Sequence, residues 1–123
     1  MKSEFKKLIL DIRASDLDRA VGFYQNVLEL LLIHKESDWA SFEAMGAEVH
    51  LYLHGGAEHG LEFRVSDIEK AVEGLRARGV KFHVESDQVN LLNVSGDIMR
   101  FPWGKSAHFN DSEGNHIALV EDE

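Results

Sequence analysis

The sequence of 123 residues contains no cysteine and a single proline, Pro102. The absence of cysteine excludes disulfide bonds, thiolate metal sites and a thiol nucleophile. No apolar run approaches the ~20 residues that a membrane span needs. Residues 1–10 include neither a long apolar core nor a small-residue cleavage site. From these absences we expect a cytoplasmic protein that does not associate with membranes.

Basic residues are also scarce, with 13 Lys and Arg against 22 Asp and Glu, for a net charge of −9. Nucleic-acid binding needs a basic face, so this balance argues against a nucleic-acid partner. It suits a cationic small ligand, and equally an acidic surface that serves only solubility. The length and the apolar fraction of 44% predict one globular domain over residues 1–123.

The sequence does contain an internal repeat. The stretch LDIRASDLDRAV at residues 10–21 recurs 51 positions later as LEFRVSDIEKAV at residues 61–72. Each copy alternates apolar and polar residues, as a half-buried strand does, and then continues with the apolar spacing of a helix. Two copies are too few for a solenoid. We therefore predict two similar modules, over about residues 5–54 and 59–121.

Each module is predicted to have the order βαβββ. The spacing of Ser15 to Asp18, and of Ser66 to Glu69, predicts capping boxes at the two helix starts, and the apolar stripe of the first helix extends to Leu31. Residues 86–104 have no counterpart in the first module, and they could cover a pocket, form an edge strand or make a dimer contact. The predicted later strands are residues 30–35, 39–44 and 48–54, then 80–85, 105–111 and 116–121.

Two segments, SDLDRAVGFYQNVLEL and FNDSEGNHIALVE, resemble the vicinal oxygen chelate superfamily. This superfamily includes glyoxalase I, bleomycin-resistance proteins, fosfomycin-resistance enzymes and ring-cleaving dioxygenases. Ser112 stands where the superfamily usually has proline. The resemblance implies an α+β fold of two tandem βαβββ modules, forming a curved, cup-shaped mixed sheet with helices on the outside. It also implies a homodimer.

In metal-dependent members of this superfamily, the ligands come from the first and last strands of each module. The resemblance carries those positions to Ile9, His50, Gly60 and Ala118, of which only His50 can bind a metal. A catalytic zinc or iron site normally uses at least three protein ligands. We therefore predict no cofactor, while a divalent metal held with a further ligand such as Asp97 remains an alternative.

The inferred cup carries polar and aromatic side chains, which predict a pocket for a small organic molecule. Two alternatives stand beside this one: acid–arginine neighbours could pair only to seal the module interface, and His50 could be a hydrogen-bonded residue or a general base. His108 lies on the face away from Phe109, so it is structural or exposed if Phe109 faces the cup. The predicted ligand-binding residues are Asp11, Arg13, Trp39, His50, Tyr52, Glu62, Arg64 and Trp103.

The resemblance and these residues predict a metal-independent protein of the bleomycin-resistance type, which sequesters a drug or metabolite in the cleft of a homodimer. One alternative is a metal-dependent, glyoxalase-like lyase, isomerase or transferase that uses His50 as its candidate catalytic residue. Another is a structural dimer whose cup is closed by its own side chains. The sequence favours a binding protein over an enzyme, because three of the four ligand positions carry no ligand atom.

Overall fold

The repeat folds as two units that each carry one mixed β-sheet. The structure is a computed structural model, and it describes residues 4–123. Unit 1 runs to His59 and includes Asp111–Asn115, whereas unit 2 consists of Gly60–Asn110 and His116–Glu123. Both units combine a helix with parallel and antiparallel strand pairs, and this confirms the predicted α+β fold class.

Unit 1 has a four-stranded sheet in the order β1-β4-β3-β2, in which β1 and β4 are parallel. Alternation along the strands places Ile12, Phe42 and Leu51 on one face, where each is almost fully buried. The first helix contributes Leu17 and Val21 to the same core. The elements are β1 (Ile9–Arg13), α1 (Leu17–Gly22), a π-helical turn (Phe23–Val27), β2 (Leu31–Lys35), β3 (Trp39–Ala44) and β4 (Ala47–Tyr52).

Unit 2 repeats this plan and adds a hairpin. Its sheet has the order β5-β10-β9-β8-β7, with a short strand β6 also paired to β9. The first and last strands, β5 and β10, are again parallel. The elements are β5 (Leu61–Arg64), α2 (Ile68–Ala77), β6 (Phe82–His83), β7 (Asn93–Ser95), β8 (Ile98–Phe101), β9 (Gly104–Asn110) and β10 (His116–Asp122).

The additional hairpin, β7–β8, accounts for about half of the stretch, residues 86–104, that had no counterpart in the first module. Its strands extend the sheet beyond β9, and β7 is the edge strand. The predicted strand over residues 80–85 was too long, since only Phe82–His83 pairs with β9. No helix in residues 4–123 is long and apolar enough to cross a membrane.

The predicted helix starts were wrong by one residue in both copies. Asp16 and Asp67 cap the helices, and their side chains accept hydrogen bonds from the backbone N–H groups of Arg19 and Lys70. Each Asp has an extended backbone conformation, from which a short carboxylate reaches the third helical N–H group. Ser15 and Ser66 therefore precede the caps.

The predicted apolar stripe of the first helix also ends too late. The helix gives way to a π-helical turn at Phe23–Val27, and Glu29 then has a positive φ of 59°. This conformation ends a helix, because it is left-handed. Leu31 consequently lies in β2, and 70% of its surface is exposed.

Candidate functional site

Unit 2 contains a cavity of about 420 Å³ on one face of its sheet, the face opposite the buried core residues. Core residues such as Phe109 and Ile117 point to the other face. Strands β5, β8, β9 and β10 supply most of the wall, and the segment after β6 and the turn between β8 and β9 supply the rest. The lining residues are Glu62, Arg64, Gln88, Val89, Phe101, Trp103, Ser106, His108, Ala118, Val120 and Asp122.

An aromatic pair forms one wall of this cavity. The rings of Phe101 and Trp103 stack with their centroids 5.3 Å apart and an interplanar angle of only 7°. Phe101 is buried, and it supports Trp103, which is 48% exposed. Backed in this way, the indole presents a flat apolar surface that is still open to a ligand.

Charged side chains border the same cavity. Glu62 and Arg64 both belong to β5 and line it, as does Asp122 of β10. Arg64 Nε pairs with Asp122 Oδ2 at 3.0 Å, and within residues 4–123 no ion pair joins Arg64 to Glu62. The neighbour pair on β5, which the sequence left open as an alternative, is therefore not formed, and the exposed guanidinium of Arg64 instead bridges β5 to β10.

His108 lies on the cavity wall, and the prediction made for it from the sequence was conditional. Phe109 is fully buried and packs edge-on against Phe82 with ring centroids 5.3 Å apart, so the condition that Phe109 faces the cup is not met. Alternation along β9 then turns His108 and Ser106 toward the cavity. The strict alternation of Ser106 to Phe109 was the sequence signal that could have placed them.

Three histidines of unit 2 lie close together around one carboxylate. His108 Nδ1 is 2.7 Å from His116 Nε2, and these two rings stack at 4.9 Å. Glu85 Oε2 lies 3.4 Å from His108 Nδ1, 3.5 Å from His116 Nε2 and 3.7 Å from His83 Nε2. On the far side of its ring, His108 Nε2 is 3.1 Å from Ser106 Oγ. Sequence reasoning missed this cluster.

In unit 1, the corresponding sheet face carries an aromatic cluster. Trp39 lies 5.3 Å from His50, 6.0 Å from Tyr52 in a stacked arrangement, and 5.2 Å from His34, measured between ring centroids. Ser41, in register between His34 and His50, is buried. The structure therefore brings together three of the predicted site residues in this unit.

His50 is hydrogen-bonded at both ring nitrogens. Its Nε2 is 2.8 Å from Glu48 Oε1, and its Nδ1 is 3.1 Å from the hydroxyl of Tyr52. The hydrogen bond from His50, and a second from Lys7, lower the pKa of Glu48. Burial, followed by the charge of Asp11, raises the pKa of Tyr52. If a neutral His50 donates a hydrogen bond from Nε2 to Glu48, its Nδ1 accepts a hydrogen bond from the Tyr52 hydroxyl. Neither nitrogen then has a free lone pair.

Asp11 and Arg13 lie on β1, in register with His50 and Tyr52 respectively. Both side chains are exposed. In the part of the chain that the structure describes, no ion pair joins Asp11 to Arg13. These two residues thus border the aromatic cluster without forming the sealing pair that the sequence left open.

The four ligand positions implied by the resemblance do not fit a metal ion. Ile9 and Ala118 carry only hydrocarbon, and Gly60 has no side chain. His50 supplies the one imidazole, and both of its nitrogens are engaged. These residues therefore provide one of the three or more protein ligands that a catalytic site needs.

Comparisons with known proteins agree with the fold. The model of the Glyoxalase/Bleomycin resistance protein/Dioxygenase superfamily matches residues 8–119. A lactoylglutathione lyase from Agrobacterium tumefaciens superposes with a TM-score of 0.75 at 18% identity, covering 98% of this chain and 96% of that one. TnmS3, an antibiotic binding protein from Streptomyces sp. CB03234, superposes with a TM-score of 0.71 at 22% identity, covering 100% of both chains.

A third solved structure has the same fold. A glyoxalase/bleomycin resistance protein/dioxygenase from Nocardioides superposes with a TM-score of 0.72 at 20% identity, covering 99% of this chain and 86% of that one. No curated protein matches the sequence. Identities this low establish a shared fold, which hosts many chemistries.

Proposed function

The chain belongs to the Glyoxalase/Bleomycin resistance protein/Dioxygenase superfamily, and on that premise we propose that it binds and sequesters a small organic molecule in the cavity of unit 2. Binding does not use a metal at the four positions implied by the resemblance. The observation that carries this proposal is the stacked wall of Phe101 and Trp103 beside a row of charged side chains.

The size and lining of the cavity support the proposal. Its volume of about 420 Å³ falls within the roughly 300–1,000 Å³ of ordinary small-molecule sites. A planar ligand that stacks on Trp103 gains ~0.5–1.5 kcal/mol beyond its buried area. Arg64 can hold an anionic or carbonyl group, and Glu62 a cationic one. A flat molecule with a charged substituent fits these surroundings.

The residues at the family positions favour binding over conversion. Ile9, Gly60 and Ala118 offer no ligand atom, and His50 is held between Glu48 and Tyr52. The superfamily includes ligand-sequestering proteins, and one of the similar solved structures is described as an antibiotic binding protein. The kind of antibiotic does not transfer to this chain at 22% identity.

Fluorescence of the two tryptophans tests the proposal directly. Trp39 lies in the unit 1 cluster, and Trp103 lies in the cavity wall. The variant Trp39→Phe leaves Trp103 as the only tryptophan. A panel of planar cationic and anionic compounds should quench its emission, whereas the matched variant Trp103→Phe should not respond.

Recovery of the bound compound separates sequestration from catalysis. The proposal predicts that mass spectrometry returns the compound unchanged after prolonged incubation with the protein. Quenching confined to Trp39, or a chemically altered compound, would contradict the proposal. The variant Arg64→Gln should weaken binding of anionic compounds about tenfold or more, because a charge-assisted hydrogen bond contributes ~1.5–3 kcal/mol.

We also propose that the protein is a homodimer. Strand β2 is an edge of the unit 1 sheet, and it exposes 70% of Leu31 and 50% of Ile33. Exposed apolar side chains on an edge strand invite pairing with another chain. Light scattering after size-exclusion chromatography should give twice the chain mass, and Leu31→Lys should shift that value to the monomer.

A second candidate function is catalysis in unit 1. Glu48, His50 and Tyr52 form a chain of hydrogen bonds that could move a proton between a carboxylate and a phenol. If the protein is such an enzyme, His50→Ala should abolish turnover of a substrate from the panel. His54→Ala, just beyond the end of β4 and outside this chain of hydrogen bonds, is the matched control.

A further inference from the structure

We propose that unit 2 holds a Zn²⁺ ion between His83, Glu85, His108 and His116, a site that shares no residue with the four ligand positions of the resemblance. The proposal goes beyond ligand binding in the cavity, and it does not depend on it. All four residues belong to unit 2.

Strand register brings the histidines to one place. β9 has β10 on one side and β6 on the other, and His108 is paired with His83 across one boundary and with Ala118 across the other. His116 precedes Ala118 by two residues, so its side chain lies on the same face. Neighbouring strands are ~4.8 Å apart, and imidazoles from all three strands can therefore reach a common point.

The distances from Glu85 Oε2 to the three imidazoles suit a tetrahedral ion, and the donor atoms of His83, Glu85 and His116 all lie within 4.8 Å of one another. With zinc bonds of ~2.0–2.1 Å, two ligand atoms of a tetrahedron lie roughly 3.4 Å apart. Glu85 Oε2 lies at 3.4, 3.5 and 3.7 Å from the nearest nitrogens of His108, His116 and His83. The 2.7 Å between His108 Nδ1 and His116 Nε2 is a hydrogen bond, which a bound ion replaces as the two rings turn apart.

The chemistry of the donors points to zinc. Imidazole nitrogens with one carboxylate form a common zinc ligand set, whereas magnesium and calcium prefer oxygen donors alone. If His108 Nε2–H donates to Ser106 Oγ, the lone pair of Nδ1 faces the ion.

Zinc binding to metal-free protein, purified without an affinity tag, tests this site. Titration against a chromophoric chelator should show one equivalent of Zn²⁺. His116→Ala and Glu85→Gln should each weaken the affinity for Zn²⁺ by ~100-fold or more. Ser106→Ala should weaken it about tenfold and leave the melting temperature of the apo-protein unchanged. His50→Ala should bind as wild type does. Bound Co²⁺ should give the intense visible bands of a tetrahedral site.

If His116→Ala fails to fold, Glu85→Gln still tests the site, because it removes a charge from a partly exposed side chain. Absence of binding at micromolar zinc overturns the proposal. So does metal that is lost in His50→Ala and retained in Glu85→Gln, since that pattern assigns the ion to the family position. The two proposals fail separately when the fluorescence panel is measured on metal-free protein and the zinc titration is done without any organic compound.

Discussion

Replacing Glu113 by glutamine should destabilise unit 1 at neutral pH and remove part of its acid sensitivity. The carboxylate is almost wholly buried, with 1% of the side chain exposed. Its Oε1 accepts hydrogen bonds from the backbone N–H groups of Ser15 and Asp16 at 2.9 and 2.8 Å. Arg19 Nε and the Ser112 hydroxyl donate to Oε2. All of these partners are hydrogen-bond donors. The NH₂ group of a glutamine side chain would place its own two protons against some of them, so glutamine cannot replace this carboxylate.

The pKa of Glu113 sets the magnitude of the effect. Burial alone would raise that pKa, but hydrogen bonds from Arg19, the Asp16 backbone, Ser112 and Ser15 outweigh it and hold the pKa at about 2, against an ordinary value of 4.5. A difference of this size corresponds to about 3 kcal/mol of folding free energy. Arg19 is half exposed, and solvent screening reduces the expected value to about 2 kcal/mol.

The sign of the pH dependence follows from the lowered pKa. A carboxylate that is more acidic in the folded state stabilises the fold fully above pH ~4.5, and the contribution disappears as the pH falls toward ~2. The free-energy difference between wild type and Glu113→Gln should therefore be largest at neutral pH and shrink below pH ~4.5.

Urea unfolding followed by circular dichroism at a series of pH values measures that difference. Glu73→Gln is the matched control, because it makes the same charge change at an exposed position of α2. A difference for Glu113→Gln that is the same at pH 7 and at pH 3 would refute the reasoning. So would a loss at pH 7 no larger than that of the control.

Two further substitutions probe packing in each unit. Tyr24→Phe removes the buried 2.7 Å hydrogen bond from the phenol to Asp111 Oδ2, and it should lower the unfolding free energy in urea by about 1.5–2 kcal/mol. An unchanged value would show that this hydrogen bond has no net effect. Gly104→Ala places a Cβ against the carbonyl oxygen of Glu121. It should lower the unfolding free energy by ~2–4 kcal/mol, measured as a lower melting temperature. Gly114→Ala, also at positive φ but with open space around the new Cβ, should cost only ~1–2 kcal/mol, and equal losses at the two glycines would contradict the steric explanation.

Local patterns predicted the elements of the fold well. The strand over residues 39–44 was predicted with its observed bounds, Trp39–Ala44, because alternation is a property of the segment itself. The repeat identified both β–α junctions. The caps were misplaced because serine and aspartate at adjacent positions are both good caps, and only the extended backbone of Asp16 and Asp67 shows which residue acts.

The candidate site was harder to predict, because it depends on long-range pairing. The short strand β6 follows α2 by only a few residues, yet it joins β9 about 25 residues further along the chain. No local pattern states that His83 will lie opposite His108. The stacking of Phe101 on Trp103 likewise depends on the turn between β8 and β9. Periodicity assigned faces to strands, but it could not assign partners to those faces.

Register explains why the histidines of one copy form a cluster and those of the other do not. In unit 1, Asp11, His50, Ser41 and His34 follow one another across four paired strands. The equivalent row of unit 2 is Glu62, Ala118, His108 and His83.

Each row holds two histidines, at different spacings. Ser41 separates those of unit 1 by two strand intervals, or ~9.6 Å, whereas those of unit 2 are on adjacent strands ~4.8 Å apart. Only the second spacing, with His116 and Glu85 nearby, allows several donors to meet at one ion of bond length ~2 Å. In the row of unit 2 the histidine lies on β9, which corresponds to β3, and not on β10, which corresponds to β4. This shift by a single strand separates the hydrogen-bonded His50 of unit 1 from the histidine cluster of unit 2.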